Sequence, residues 1–313
     1  MAAITFRRPA GLEKMLAHVA RQTGRETQFS LTALVVDNDT AQSARPVIEA
    51  AAAQTGLKII YAVEDAQGIP AARNRALASL PPDADFFCFI DDDEWPADTW
   101  LQEILLAQRA TGADCLHGPV EPVFPSAAPR GARQSGIFDR RRHGDRSWID
   151  FGATNNVLIS AAFLRASKIR FDERMRFTGG SDYFFFRQAQ RQGLRIAWSD
   201  SAIVYEDIPH SRLKWRWILM RHYRLGNTYA VSDLLEGGII RIGRRFCVGV
   251  ARIGLGIAIL PFALLGVSFG AKAIRHAVRG AGMVAGVFGQ RREEYQPMEL
   301  LRDRSLAGPE TKT

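Results

Sequence analysis

Cysteine is scarce in these 313 residues, and its three copies, Cys88, Cys115 and Cys247, lie far apart. They have neither metal-ligand spacing nor a disulfide framework, which fits a reducing, cytosolic compartment. Cys88 lies inside an apolar run and reads as a small buried hydrophobe. An apolar leader is also missing: Met1 to Pro9 passes straight into a strand-and-turn pattern, so no signal peptide is expected. No internal repeats are visible, which excludes a repeat array. Acidic residues thin out late in the chain. Residues 212–313 carry 17 Lys and Arg against 7 Asp and Glu, whereas residues 1–211 carry 24 against 26. The net charge of +8 therefore belongs to the C-terminal third. That third is also apolar, which favours an anionic membrane surface over nucleic acid as its partner.

What is present is a regular alternation. Short apolar runs at Ala2–Phe6, Ser30–Val36, Leu57–Val63, residues 85–90 and Asp114–Val120 read as strands. Between them, Gly11–Arg21, Ala41–Thr55, Ile69–Leu80 and Ala97–Ala110 carry helical periodicity. This alternation predicts an α/β fold with βαβ units and a mostly parallel sheet flanked by helices. Pro122–Arg146 reads as a long mobile loop over the sheet edge. Ile149–Ile159 reads as a strand of unusual polar density, Ala161–Ser167 as a helix, and Ile196–Tyr205 as a further strand. Gly179-Gly180-Ser181-Asp182 opens a helix that Gly193 ends.

The texture changes near Leu213. Trp215, Trp217, Ile218, Met220, Tyr223 and Leu225 alternate with basic residues, as in an amphipathic helix at a membrane interface. Ile253–Ala271 is then uncharged; at 1.5 Å per residue it reaches roughly 28 Å, about one hydrocarbon thickness. With Gly280–Gly289 it reads as a monotopic or re-entrant anchor, or as a single span; two buried helices on the domain are the alternative. The expected organisation is a catalytic domain over residues 1–211, a basic apolar helical region over 212–292 that associates with membrane, and a polar tail over 293–313.

In a parallel sheet, ligands bind beyond the carboxyl ends of the strands. Three polar clusters fall there: Arg7-Arg8, Asp37–Asp39 and Asp91–Glu94. The last follows five apolar residues directly, and a buried strand that ends in four acids needs a positive partner. A divalent cation on a nucleotide-linked donor is one such partner, held by one or two carboxylates with phosphates completing its shell. If the segment is extended, Asp91 and Asp93 point the same way and Asp92 points elsewhere. Asp37 and Asp39 either meet a base or ribose or form an Asx-turn. Arg73, in the first turns of a helix, either reaches phosphate or sits on the surface. Asp182 is either a general base for an acceptor hydroxyl or an N-cap.

Taken together and in order, Ile4–Pro9, Val35–Asp39, Gly68–Asn74, Phe89–Glu94 and Thr178–Asp182 make the chain resemble the family 2 glycosyltransferases of the GT-A fold. The resemblance is to the bacterial branch that extends lipid-linked exopolysaccharide units, as in succinoglycan synthesis, and covers roughly residues 3–230. It implies an inverting, non-processive transfer that depends on Mn²⁺ or Mg²⁺. The donor would be a nucleotide sugar, commonly UDP-linked, the acceptor a lipid-linked glycan, and the place the cytoplasmic face of the inner membrane. It also implies that Phe6, Arg7, Asp37, Asp39, Arg73 and Asp91 contact the nucleotide. Asp93 with Asp91 would hold the metal, Asp182 would be the base, and Glu206 or His210 could add a contact. The sequence departs from the pattern at Ser181, where the family has glutamate, and in lacking Gln-x-x-Arg-Trp, the mark of processive synthases. Arg221–Asn227 occupies that region. The competing readings are a sugar nucleotidyltransferase, for which Arg7–Gly11 is a poor phosphate loop, and an inactive membrane-bound scaffold.

Overall fold

Each apolar run of the N-terminal half is flanked by turn residues, and each becomes a strand or helix of a layered sheet. In the computed structural model, which describes residues 1–291, the first half runs β1 (Ala2–Thr5), α1 (Pro9–Ala20), β2 (Thr32–Asp37), α2 (Arg45–Thr55), β3 (Lys58–Val63), α3 (Ile69–Ala78), β4 (Phe86–Phe89), β5 (Glu94–Pro96), α4 (Trp100–Thr111), β6 (Cys115–His117) and β7 (Val120–Val123). There follow α5 (Arg130–Arg133), β8 (Trp148–Ile149), β9 (Val157–Ser160), α6 (Ala161–Ser167), α7 (Ser181–Arg191), β10 (Ile196–Trp198), β11 (Val204–Asp207), α8 (Trp215–Glu236), α9 (Ile239–Ile259) and α10 (Val267–Val287). The expected polar tail, 293–313, lies outside the described residues.

Eight strands form one sheet in the order β3-β2-β1-β4-β9-β6-β10-β8. β3, β2, β1 and β4 run parallel, β9 lies antiparallel between β4 and β6, and β8 is an antiparallel edge. The α/β, mostly parallel expectation holds. Apolar side chains fill both faces. Leu12, Leu16, Ile104 and Trp100 pack on one, and Phe171, Phe185, Phe186 and Leu164 on the other. This is why the central strands read as continuous apolar runs rather than as alternations.

Two expected strands are each broken. Asp114–Val120 splits into β6 and β7, and Ile196–Tyr205 into β10 and β11; the second halves join β5 in a separate sheet, β5-β11-β7. The cause is Asn156, fully buried, whose Nδ2 donates to Pro119 O and to Ala202 O, both at 2.7 Å. Its Oδ1 accepts from Trp100 Nε1 at 2.7 Å. One amide thus takes carbonyls that a continuous ladder would have used. The expected strand over 149–159 is likewise divided, into β8 and β9.

The expected mobile loop over 122–146 is an ordered layer. Ala132 and Phe138 are buried in a third core with Ile208, Leu213 and Ile218, and Phe138 stacks on Trp217. Apolar residues spaced through a Pro/Gly-rich stretch anchor it where no local periodicity is legible. The second half of α8 packs into the fold: Arg224 to Asp233 is largely buried, with His222 1% exposed and Asn227 2%, while Trp215 and Met220 in its first half are exposed. It packs on α10 through glycines; a Cβ on Gly226 would lie 2.0 Å from Arg279 O.

The uncharged run 253–271 does not form one straight rod. α9 ends at Ile259, a 3₁₀ turn covers Leu260–Leu265 around Pro261, and α10 returns beside α9. Ile239–Leu265 together is long and apolar enough to cross a membrane, with 11% of its most apolar stretch buried. At the tip, Leu264 is 94% and Leu265 73% exposed.

Candidate active site

The carboxyl ends of β1, β2 and β4 lie side by side, which brings Thr5–Arg8, Asp37–Asp39 and Asp91–Glu94 together. The acids after β4 are not extended. Glu94 N donates to Asp91 O at 3.2 Å, so the four form a turn, and strict alternation of their side chains does not apply. Asp92 points back into the fold, accepting from Thr5 Oγ1 at 2.8 Å and from Arg8 Nη1 at 3.1 Å. The same Arg8 nitrogen reaches Asp93 Oδ2 at 2.9 Å, and Arg212 Nη2 reaches that oxygen at 2.8 Å. Both arginines hold Asp93 through a single oxygen.

Glu94 is buried inside an acidic cluster. Its Oε2 accepts from Asp91 N at 3.3 Å, and its Oε1 lies 3.9 Å from Arg140 Nη2. Arg140 and Arg212 converge on Glu206, each at 2.5 Å, one per oxygen. Burial pushes the Asp91 carboxyl up to about 6. Arg73 opposes this rise, and the negative charges of Asp93, Asp182 and Glu206 add to it. Burial and then Asp91 drive Glu94 well above the usual carboxylate range. Burial likewise raises Asp92 to about 6, against the pull of Arg8. Acids that raise one another in this way are what a cation would relieve.

Arg73, on α3, is 7% exposed. Its Nη1 donates to Ser181 Oγ at 3.3 Å, its Nη2 stands 3.8 Å from Asp91 Oδ1, and its guanidinium lies over the Phe171 ring. It is therefore not a loose surface arginine. Asp182 follows two left-handed glycines, Gly179 and Gly180, in the first turn of α7, and its Oδ1 accepts from Tyr183 N at 2.8 Å. A Cβ on Gly180 would fall 2.0 Å from Thr228 Cγ2, so α8 fixes the approach of this turn.

Asp37 is fully buried. Its Oδ1 accepts from Asp39 N, and its Oδ2 from Ala44 N and Tyr61 Oη. Of the two readings, the Asx-turn describes this side chain. Asp39 binds Arg7 at 3.2 and 3.3 Å; burial pushes its carboxyl up, yet the bonds from Arg7 hold it below its usual range. Arg7 itself lies over the Phe6 ring at the open end of β1, where Phe6 is 40% exposed. Asn38 Oδ1 accepts from Gly68 N at 2.8 Å, which ties β2 to the start of α3 and so places Arg73.

Sequence reasoning brought Asp91, Asp93, Arg73 and Asp182 to one neighbourhood but missed Arg140 and Arg212 and gave Glu206 little weight. The run Arg140-Arg141-Arg142 inside a turn-rich stretch was the available signal. His210, in a 3₁₀ turn, is exposed. Among the described residues no group of three or more His, Cys, Asp or Glu could enclose a metal ion. The donor set suits a hard cation held by one or two carboxylates and completed by phosphates, which needs no protein cage.

The family model for glycosyl transferase family 2 matches residues 2–167. Succinoglycan biosynthesis protein ExoM of Rhizobium meliloti (strain 1021) is 28% identical over 301 residues, covering 95% of each chain. Among solved structures, S. aureus TarS 1-349 superposes with a TM-score of 0.53 at 15% identity, over 92% of this chain and 91% of that one. The mannosyltransferase PcManGT of Pyrobaculum calidifontis, in complex with GDP-Man and Mn²⁺, gives 0.55 at 15% identity, over 98% and 78%. At such identities the structures speak for the fold, a GT-A-like α/β arrangement. The family match spans more than half of the chain, over the strands whose ends carry the acids and Arg73: this protein belongs to glycosyl transferase family 2.

Proposed function

We propose that the protein transfers one sugar, with inversion, from a UDP-linked donor to a hydroxyl of a lipid-linked glycan at the cytoplasmic face of the bacterial inner membrane. The observation that carries this reading is the electrostatic convergence of Asp91 with Asp93, Asp182 and Arg73 at the carboxyl ends of parallel strands. In this reading Phe6, Arg7 and Asp39 form the nucleoside side of the site, and Asp37 shapes the turn that presents Asp39. Arg73 and Asp91 meet the ribose and phosphates. Asp93 with Asp91 would hold Mn²⁺ or Mg²⁺, which when bound supplies Lewis-acid stabilisation of the departing diphosphate. PcManGT, solved in complex with GDP-Man and Mn²⁺, and TarS, crystallised with UDP and with UDP-GlcNAc, lend support to the donor class and the metal.

Asp182 removes the proton from the acceptor hydroxyl as its oxygen attacks the anomeric carbon opposite the leaving nucleotide. In this reading attack from the face opposite the nucleotide, in one displacement, inverts the anomeric centre. The absence of Gln-x-x-Arg-Trp supports one addition per encounter. We assign residues 1–211 to catalysis and 212–292 to membrane association. The exposed apolar tip of the α9–α10 hairpin and the likeness to ExoM support that location. A panel of nucleotide sugars, scored by hydrolysis and thermal shift with Mn²⁺ present, tests the proposal. UDP-sugars should stabilise the protein and be hydrolysed slowly; a flat response across the panel overturns it.

A further inference from the structure

A cavity of about 300 Å³ opens where α7, α8 and α9 meet, lined by Tyr183, Arg187, Asp233, Arg241, Arg244 and Arg245. Two buried carboxylates brace its walls. Asp233 accepts from Arg187 Nη1 at 2.8 Å and from Arg245 Nε at 2.6 Å. Glu236 Oε2 takes Arg187 at 2.9 Å, Arg191 at 2.5 Å and also Arg241. Four arginines thus share two acids, and Arg244 makes no ion pair among the described residues. The cleft keeps a positive excess on side chains whose rotamers are already fixed.

The basic surface continues along one face of α9, because Arg241, Arg245 and Arg252 follow the four- and seven-residue spacing of a helix stripe. Arg252 lies near enough to Arg245 and Arg275, and Arg279 to Arg252 and Arg275, for mutual repulsion. The Nε atoms of Arg252 and Arg279 are buried and find no hydrogen-bond partner among the described residues. Buried guanidinium donors without acceptors are costly, and an oxyanion removes that cost. On the same helix Phe246, Val250, Leu255 and Ile257 are exposed and apolar. Tyr183, which lines the cleft, follows the proposed base Asp182 directly in the first turn of α7.

We propose that this cleft binds the phosphate or diphosphate of a lipid whose hydrocarbon tail lies along the apolar side of the α9–α10 hairpin, and that this lipid is the anchor of the glycan acceptor. The inference rests on the glycosyltransferase reading and specifies how its acceptor is held. Bulk anionic headgroups are attracted by any exposed basic surface. A concave site, braced by buried acids and walled in part by α7, the helix that carries Asp182, is instead suited to one phosphorylated ligand that must be oriented.

Native mass spectrometry of the full chain in neutral detergent micelles tests it, with undecaprenyl diphosphate, undecaprenol and phosphatidylglycerol as probes and UDP retention and UDP-sugar hydrolysis read on the same sample. One undecaprenyl diphosphate should be retained per chain, undecaprenol should not be, and phosphatidylglycerol should fail to displace it. Arg244→Gln and Arg252→Gln together should cut its occupancy at least tenfold, as expected for lost charge-assisted contacts, with UDP retention unchanged as the control for folding. Equal retention of undecaprenol, displacement by phosphatidylglycerol mole for mole, or unchanged occupancy in the variant overturns the proposal. Loss of UDP retention and hydrolysis in the unaltered protein would instead strike the glycosyltransferase reading, whatever the lipid result.

Discussion

Arg73 Nη1 donates to Ser181 Oγ at 3.3 Å while its Nη2 stands 3.8 Å from Asp91. This arginine links α3, the acidic turn after β4 and the start of α7. A serine at 181 asks little of the guanidinium, since a neutral hydroxyl leaves its charge directed to Asp91. A glutamate there would compete for it. Removing the guanidinium takes away a buried charge-assisted contact worth about 1.5–3 kcal/mol. Arg73→Gln should therefore weaken UDP binding about tenfold or more by titration calorimetry, and Ser181→Glu should weaken it in the same direction. Unchanged affinity in Arg73→Gln would remove Arg73 from the nucleotide site.

Asp93 is the acid that Arg8 and Arg212 hold through one oxygen. Asp93→Asn should abolish the gain in UDP affinity that Mn²⁺ produces while sparing metal-free binding. Calorimetry with and without Mn²⁺ separates the two effects. An undiminished gain in the variant would show that Asp93 holds no metal.

For Asp182, the expectation is a split between binding and rate. General-base catalysis contributes typically about 10²–10⁴-fold. Asp182→Asn should lose on that order in transfer rate, with UDP affinity unchanged. Equal losses in both would mark a structural role in the first turn of α7.

His117 supplies a pH dependence of stability. Burial lowers its imidazole to about 4, against the raising effect of its hydrogen bond to Gly118 O. The unfolded chain, with His near 6.5, binds the extra proton first, so stability rises with pH between about 4 and 6.5 and is lost as pH falls through that window. The size is roughly 3 kcal/mol. Denaturant melts at about pH 4.5, near the foot of that window, and at about pH 7, above it, should show a smaller pH difference in His117→Gln than in the parent. Asp92, raised to about 6, opposes this trend, because its proton is held more tightly in the fold. Asp92→Asn should steepen the rise.

At the hairpin tip, Leu264→Asp with Leu265→Asp tests membrane association. Burying one leucine stabilises by about 1.5–3 kcal/mol. The variant should shift from the lipid-bound to the soluble fraction in liposome flotation, with UDP binding retained. Undiminished flotation would place the contact elsewhere.

Composition and order alone determined the α/β class, the parallel sheet, the positions of Asp91 and Asp93 just past a strand and of Arg73 and Asp182 in the first turns of helices, and the basic apolar C-terminal region. Those features are local: apolar runs, helical periodicity and the charge beside them lie within a few residues. Tertiary structure decided what depends on distant partners. Asn156 divides two strands because its amide meets carbonyls brought from residues 119 and 202. The stretch over 122–146 is ordered because Phe138 finds Trp217. Asp91–Glu94 forms a turn rather than an extended segment, so Arg8, Arg140 and Arg212, from three separate parts of the chain, decide which way each acid faces. No spacing in the sequence encodes those meetings, because a side-chain contact across the fold depends on packing, which local pattern does not record.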